Sequence, residues 1–372
     1  MSELSEEGYG LSKLPEGATV PAPELEYLPP QPERKDFGIG LVGCGGITAY
    51  HLEAYKKMGL RIVALCDPDV EKAEMRRAVF CPDAAVFTDH TELLDHPGVD
   101  VIDAATHPEP RVQIIRDSIA AGKHILSQKP FVTDLDVGEE LVAAAQAKGV
   151  KLAVNHNGRW APHFAYMRRA VTSEIIGRLA SVDCSLQWDH TWTEETPFND
   201  IHHLILYDFA IHWFDITACF FHDREPLSVS ARVSRHPAQT MKPPTLAHVL
   251  IDYPDGQATL SFNAHTIHGQ QDTTVLCGET GTLRSAGPSL SDQAVTLAIS
   301  GGTAQPVLAG TWFESGFAGT MGELLHAIEE DRDPDNSAAS SLRGLALCFA
   351  AIESAEQGGM PVAPGSVRRL LA

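Results

Sequence analysis

Four short stretches of the 372-residue chain hold residues whose types and spacing could do chemistry. Gly43-Cys44-Gly45-Gly46-Ile47-Thr48 joins the apolar run GIGLVG (38–43) to a helical pattern beginning at Ile47. Glycines in such a turn let the backbone approach a pyrophosphate, whose charge then rests on unpaired N–H groups at the helix N-terminus. The third glycine position of this fingerprint is Thr48, a departure expected to loosen helix–strand packing. Asp67 closes the next apolar run, RIVALCD, at the spacing where a carboxylate accepts hydrogen bonds from a ribose diol. That carboxylate would repel a 2′-phosphate, which favours NAD over NADP, while Arg76 and Arg77 on the following helix pull the other way. Gly43, Gly45, Gly46, Ile47 and Asp67, with Thr106 from the end of the run VDVIDAA (99–105), are the expected dinucleotide contacts.

Gln128-Lys129-Pro130 follows the run HILSQ, at the strand end where parallel sheets bind ligands, so Lys129 is expected to face the reactive end of the dinucleotide. Taken alone, a surface lysine at a strand end is the plainer account. Asp208 and His212 stand four residues apart in the apolar stretch 204–221, which reads as one helix with both side chains on one face. Polar groups among Phe209, Ile211, Trp213 and Phe214 cost free energy unless they find partners or line a cleft. His202 and His203 raise a metal alternative, but adjacent histidines point apart, and no metal is expected. Asn157, Arg159 and Trp160 are expected to line the cleft from the other side; ordinary loop roles are equally open to them.

These residues need a scaffold, and the pattern supplies one. From Gly38 to His156, short apolar strands alternate with helical stretches (47–58, 69–79, 108–121, 135–148), which calls for a doubly wound parallel sheet covered on both faces. Beyond Asn157, longer alternating runs (178–190, 227–235, 247–254, 257–265), a Pro-Asp-Gly turn and the hairpin GETGT predict a mostly antiparallel open sheet with helices on one face. Two last helices, 316–330 and 339–356, flank the loop EDRDPDNS. The expected organisation is a Pro/Glu-rich extension (1–36) that wraps the body or stays mobile, a dinucleotide-binding domain (37–156) and a substrate-binding domain (157–372).

Composition narrows the function classes. With 28 basic against 49 acidic residues the net charge is −21, which opposes contact with nucleic acid. Seven scattered cysteines without a Cys-x-x-Cys pair indicate neither a disulfide framework nor a zinc knuckle, and imply a reducing compartment. The acidic start lacks the pattern of a secretory signal, and the most apolar stretch, Phe209 to Phe221, falls short of the ~20 residues of a membrane span. A cytoplasmic protein without a membrane partner is expected.

Gly43-Cys44-Gly45-Gly46-Ile47 with His51, AAGKHILSQKP (120–130) and Asp208-x-x-x-His212 together resemble the Gfo/Idh/MocA oxidoreductases, named for glucose-fructose oxidoreductase and inositol dehydrogenase. The resemblance extends over about residues 37–360, including NHNGRWAP (155–162). It implies a Rossmann domain, an α/β domain with a large open sheet used for homodimer or homotetramer formation, and NAD(P)-linked hydride transfer at a hydroxyl of a sugar or cyclitol. By position it implies Lys129 as catalytic lysine, Asp208 as substrate-binding acid and His212 as acid/base, with Asp208 steadying the imidazolium. Two departures stand out: Gln128 replaces the usual Glu, and Ile205-Leu206-Tyr207 replaces a glycine-rich run, so the substrate does not carry over. Glycoside cleavage through transient oxidation, and a non-catalytic dinucleotide sensor, are the rival expectations.

Overall fold

The computed structural model describes residues 18–370. Its first half builds a sheet from β1 (Gly38–Val42), β2 (Arg61–Cys66), β3 (Ala85–Phe87), β4 (Val101–Ala104), β5 (His124–Ser127) and β6 (Leu152–Val154). The crossover helices are α1 (Thr48–Lys57), α2 (Val70–Phe80), α3 (His90–Leu94), α4 (Pro108–Ala120) and α5 (Leu135–Lys148). All pairings are parallel and the order is β3-β2-β1-β4-β5-β6. The strands are mostly apolar because both faces are covered, with Asp103 a buried polar exception in β4. Helix ends follow local chemistry: Asp134 accepts from the Asp136 and Val137 amides at the start of α5, and Gly149, at φ 74°, stops it in a left-handed turn. Between β1 and β4 the strand order reverses, which opens a crevice at the carboxyl edge.

The second half contains α6 (Pro162–Thr172), β7 (Leu179–Gln187), α7 (Ile211–Phe220), β8 (Ser228–Ser234), β9 (Leu246–Tyr253), β10 (Gly256–Asn263), β11 (Gln271–Gly278), β12 (Gly281–Ser289), β13 (Asp292–Ile299), β14 (Gly302–Ala304), α8 (Trp312–Glu329) and α9 (Ala338–Glu356). Eight strands run in the order β14-β13-β12-β11-β7-β10-β9-β8, antiparallel except for the pair β7 and β10. Alternation is clear in β9, where Ala247, Val249, Ile251 and Tyr253 face the core. The expected mixed α/β architecture is therefore present, with a Rossmann sheet followed by a mostly antiparallel one.

Three features correct or extend the sequence reading. The stretch 204–221 is not one helix: Ile205–Phe209 forms a π-helical turn, and α7 begins only at Ile211. α8 returns to the first sheet, where Phe317, Met321, Leu324 and Leu325 join Ile39, Val101 and Leu126 in one buried cluster. The extension wraps the body over residues 18–36: Thr19 bridges Thr303, the Tyr27 hydroxyl accepts from the Ala309 amide at 2.8 Å, and the Glu33 and Arg34 amides donate to Glu329. Residues 1–17 of that expected extension lie outside the described residues. No described helix is long and apolar enough to cross a membrane.

Close approach fixes α8 in place. A Cβ on Gly319 would fall 2.1 Å from Trp160 Cγ, so the indole lies directly on the helix backbone. Gly319→Ala is expected to lower stability by ~1–3 kcal/mol through overpacking, read as a lower denaturation midpoint at unchanged slope.

Burial also holds several imidazoles neutral between the layers. It pushes His156 and His190 down to about 4 and His163 to about 3. Below the ordinary histidine pKa, the unfolded chain binds protons that these native imidazoles refuse, so stability falls as pH falls through ~6.5. Urea unfolding at pH 6.5 and 5.5 is expected to show a loss of about 1 kcal/mol for each such histidine. Equal midpoints would contradict this account of their burial.

Candidate active site

At the carboxyl edge of the first sheet, the turn after β1 is built to approach a ligand. Gly43 takes φ 93°, and a Cβ there would meet the Ala105 carbonyl at 2.9 Å and Thr106 at 3.0 Å, so only glycine fits beside the end of β4. At Gly45 and Gly46 a Cβ would meet nothing within 4 Å, which leaves open space over the turn. The amides of Gly45, Gly46 and Ile47 donate to no described group, while that of Cys44 donates to Asp67 Oδ2 at 2.8 Å. Open N–H groups leading into α1 suit a pyrophosphate. Asp67 is tied to the turn, its second oxygen accepting from the Asp69 amide at 2.9 Å, and the spare lone pairs of a carboxylate remain for a diol. Thr48 takes a role the fingerprint does not foresee: its Oγ1 donates to the Gly45 carbonyl at 2.7 Å and accepts from Arg76 Nε at 3.2 Å. Arg76 also donates to the Gly45 carbonyl at 2.8 Å, so its guanidinium caps the turn. These residues fit a dinucleotide.

Lys129 emerges after β5, joined to Pro130 by a cis peptide bond. Its Nζ donates to the Asp208 carbonyl at 2.8 Å and to Asp208 Oδ2 at 3.2 Å, with both side chains largely buried. This contact spans 79 positions of sequence and joins the two halves at the cleft. The π-helical turn explains the geometry. Wider winding over Ile205–Phe209 presents both the carbonyl and the carboxylate of Asp208 to the ammonium.

The expected Asp208–His212 partnership is corrected by this arrangement. Asp208 is engaged by Lys129, and the break before Ile211 removes the i, i+4 relation of a continuous helix. His212 lies against Trp312, ring centroids 5.7 Å apart, with Nδ1 buried and unpartnered among the described residues. Burial, then the charge of Lys129 and the nearby His156, hold its pKa well below the ordinary histidine value. The imidazole is therefore neutral.

Of the three residues expected to line the cleft from Asn157 onward, two do other work. Arg159 is buried and bonded in bidentate fashion to Asp215, at 2.7 and 2.6 Å, so its guanidinium is spent inside the protein. Trp160 is buried against Gly319 of α8. A guanidinium so enclosed needs its donors and charge met inside the protein, here by Asp215, which lies one turn beyond His212 on α7 and is not signalled by the residue order around Arg159. Asn157 is buried with Oδ1 unpartnered, and its Cβ would lie 2.9 Å from a Cβ on Gly316.

Sequence reasoning missed the residues that hold Lys129 in place. Arg111 of α4 is fully buried and donates to the carbonyls of Thr106 (2.6 and 3.0 Å), Pro130 (2.6 Å) and Gln128, clamping the ends of β4 and β5 together. A buried Arg in an amphipathic helix is the only trace this leaves in the sequence. Gln128 Oε1 accepts the Lys129 amide at 2.8 Å, and its Nε2 lies 3.2 Å from His51 Nε2. His51 Nδ1 in turn meets Asp103 at 2.8 Å, where the Tyr55 hydroxyl also donates at 2.7 Å. An amide at position 128 can donate to the imidazole while accepting from the backbone, which a carboxylate could not do. His202 and His203 converge on Glu356, at 2.8 and 2.6 Å, instead of joining Asp208 and His212.

Comparison with known proteins agrees with this geometry. The model of the oxidoreductase family with an NAD-binding Rossmann fold, GFO_IDH_MocA, matches residues 37–156, and that of its C-terminal domain matches residues 164–284. D-apiose dehydrogenase of Paraburkholderia graminis is 33% identical over 38% of this chain and 38% of its own length. Inositol 2-dehydrogenase 4 of Saccharopolyspora erythraea is 26% identical over 57% of this chain and 60% of its own length. The match thus spans about two fifths and three fifths, respectively, of the length of these two curated relatives. An Agrobacterium radiobacter oxidoreductase, solved with NAD+, L-tartaric acid and magnesium, superposes with a TM-score of 0.80 at 20% identity, covering 89% of this chain and 99% of that one, a likeness that establishes the fold. With both of its halves matched and the dinucleotide turn and its strand-edge lysine in place, the chain belongs to the Gfo/Idh/MocA oxidoreductase family.

Proposed function

We propose that the protein is an NAD-dependent dehydrogenase that oxidises a CH–OH carbon of a sugar, sugar derivative or cyclitol, or reduces the corresponding ketone. The observation that carries this reading is the bonding of Lys129, at the carboxyl edge of the dinucleotide sheet, to Asp208 of the other half, with a neutral His212 four residues further along. When bound, the nicotinamide exchanges a hydride with the carbon that bears the hydroxyl. The chain's own residues supply the rest. Lys129 donates to the reacting oxygen and favours negative charge there in the transition state. His212 accepts the hydroxyl proton at Nε2. Burial first, and the charge of Lys129 second, make it a weak base in the free protein, and negative charge developing on the substrate oxygen beside it favours the protonated imidazole and so the proton transfer. Asp208 holds Lys129 and offers its free lone pairs to an adjacent hydroxyl. The Asp67 carboxylate at the ribose end supports NAD over NADP, against Arg76, whose guanidinium is occupied with the carbonyls of the turn.

A panel of sugars and cyclitols followed by reduced-nicotinamide absorbance tests the activity. With the active alcohol, His212→Ala is expected to lower kcat about 10²–10³-fold, and Lys129→Ala by more, while NADH affinity in both stays within a few-fold. A raised KM alone in Lys129→Ala would restrict that residue to binding. kcat/KM for oxidation is expected to show its acid limb below the ordinary histidine pKa of ~6.5. A midpoint at or above that value would remove His212 as the base. NADH is expected to bind at least ~10-fold tighter than NADPH, and Asp67→Asn to narrow the gap; an equal preference in the parent chain would overturn the assignment to NAD.

A further inference from the structure

We infer that a second ligand site, for a small multiply charged anion such as a phosphate monoester or a polycarboxylate, lies beyond the catalytic cleft in a cavity of about 230 Å³. Arg159, Arg168, Arg169, Arg343, His222 and Asp335 line it. Four guanidinium groups converging on one cavity are unexpected in a chain of net charge −21. Like charges gathered this closely repel one another unless anions balance them.

The protein supplies only part of that balance. Asp215 neutralises Arg159 through the bidentate pair, and Asp335 neutralises Arg168 at 2.5 Å. Arg169 directs Nε to the Glu26 carbonyl at 3.0 Å, a contact without charge. Arg343 spends its terminal nitrogens on the carbonyls of Phe221, His222 and Arg224, and Glu225 nearby is 84% exposed, too solvated to compensate it strongly. Arg343 Nε is buried and has no hydrogen-bond partner among the described residues. Two guanidinium groups at the cavity, Arg169 on its exposed rim and Arg343 on its wall, are thus left without a buried carboxylate partner among the described residues. The terminal N–H groups of Arg169 donate to no described residue, and a carboxylate or phosphate matches that fork while bringing opposite charge beside Arg343.

Size and position define the occupant further. The volume falls below the ~300–1,000 Å³ of sites for drug-sized ligands, so a small metabolite anion fits. Cys219, on the cavity wall, follows His212 by seven residues, about two turns or ~10 Å along α7. The buried Arg159–Asp215 pair stands between them, so an anion here would not occupy the place of the alcohol at Lys129 and His212.

Titration calorimetry of the full chain with inorganic phosphate and, separately, with citrate, at ionic strength held constant with sodium chloride, tests the site. Saturable binding of one equivalent is expected, weakened at least tenfold in Arg169→Gln/Arg343→Gln. Tighter phosphate identifies a phosphate monoester as the natural class, and tighter citrate a polycarboxylate. Should that double variant misfold, Thr172→Glu, which places a negative charge on the exposed rim, is expected to weaken binding in the same way. Absence of saturable binding of either anion up to ~10 mM, or binding unchanged in the variants, as an anion held at the Gly43–Gly46 turn would give, overturns the proposal.

Discussion

One contact organises this molecule: the ammonium of Lys129, at the end of a parallel strand, bonded to both the carbonyl and the carboxylate of Asp208 in the other half of the chain. An ammonium on a flexible stem loses rotamer freedom when it is held, and the structure supplies two acceptors and a rigid backbone beneath it to offset that loss. Arg111 provides the rigidity by joining three carbonyls from two strand ends, and Gln128 adds a side-chain acceptor for the Lys129 amide. The polar chain runs on through His51 and Asp103 to the Tyr55 hydroxyl, so the reactive lysine stands on a buried network instead of a loose loop.

The same contact sets the state of the imidazole. A histidine paired with a carboxylate would hold its proton near neutrality, but His212 faces a positive charge and a second histidine within an apolar surround, and both effects keep it neutral. Asp208 is bonded to Lys129 and makes no hydrogen bond to His212 among the described residues. The irregular winding of Ile205–Phe209 is where this division of labour is decided, because a regular helix would have turned Asp208 toward His212. π-turns inside helices are uncommon and tend to mark functional sites, in keeping with the position of this one.

Strong acidity overall and concentrated basicity locally are two sides of one electrostatic design. Guanidinium groups are placed where carbonyls, buried carboxylates or a ligand can meet them: over the glycine turn, at the strand ends, along α7 and around the cavity beyond it. Arg159 illustrates how such a group is misread. Its neighbours in sequence, next to a strand end and beside Trp160, point to a ligand-facing role, while its partner Asp215 lies 56 positions away.

Much of the scaffold was legible without coordinates. Period-two and period-3.6 apolar patterns are local, so the six-strand sheet, its crossover helices, the glycine turn, Asp67 and the strand-end lysine could all be placed from residues near one another in the chain. The alternating runs after Asn157 likewise announced an open, mostly antiparallel sheet. Tertiary structure alone decided the rest, because each remaining feature depends on a partner distant in sequence: the return of α8 to the first sheet, the burial of Arg159 and Trp160, the clamp of Arg111 and the pairing of Asp208 with Lys129. Residue types determined which chemistry was available; long-range burial, which turns a polar side chain into a group that must find a specific partner, decided which residues perform it.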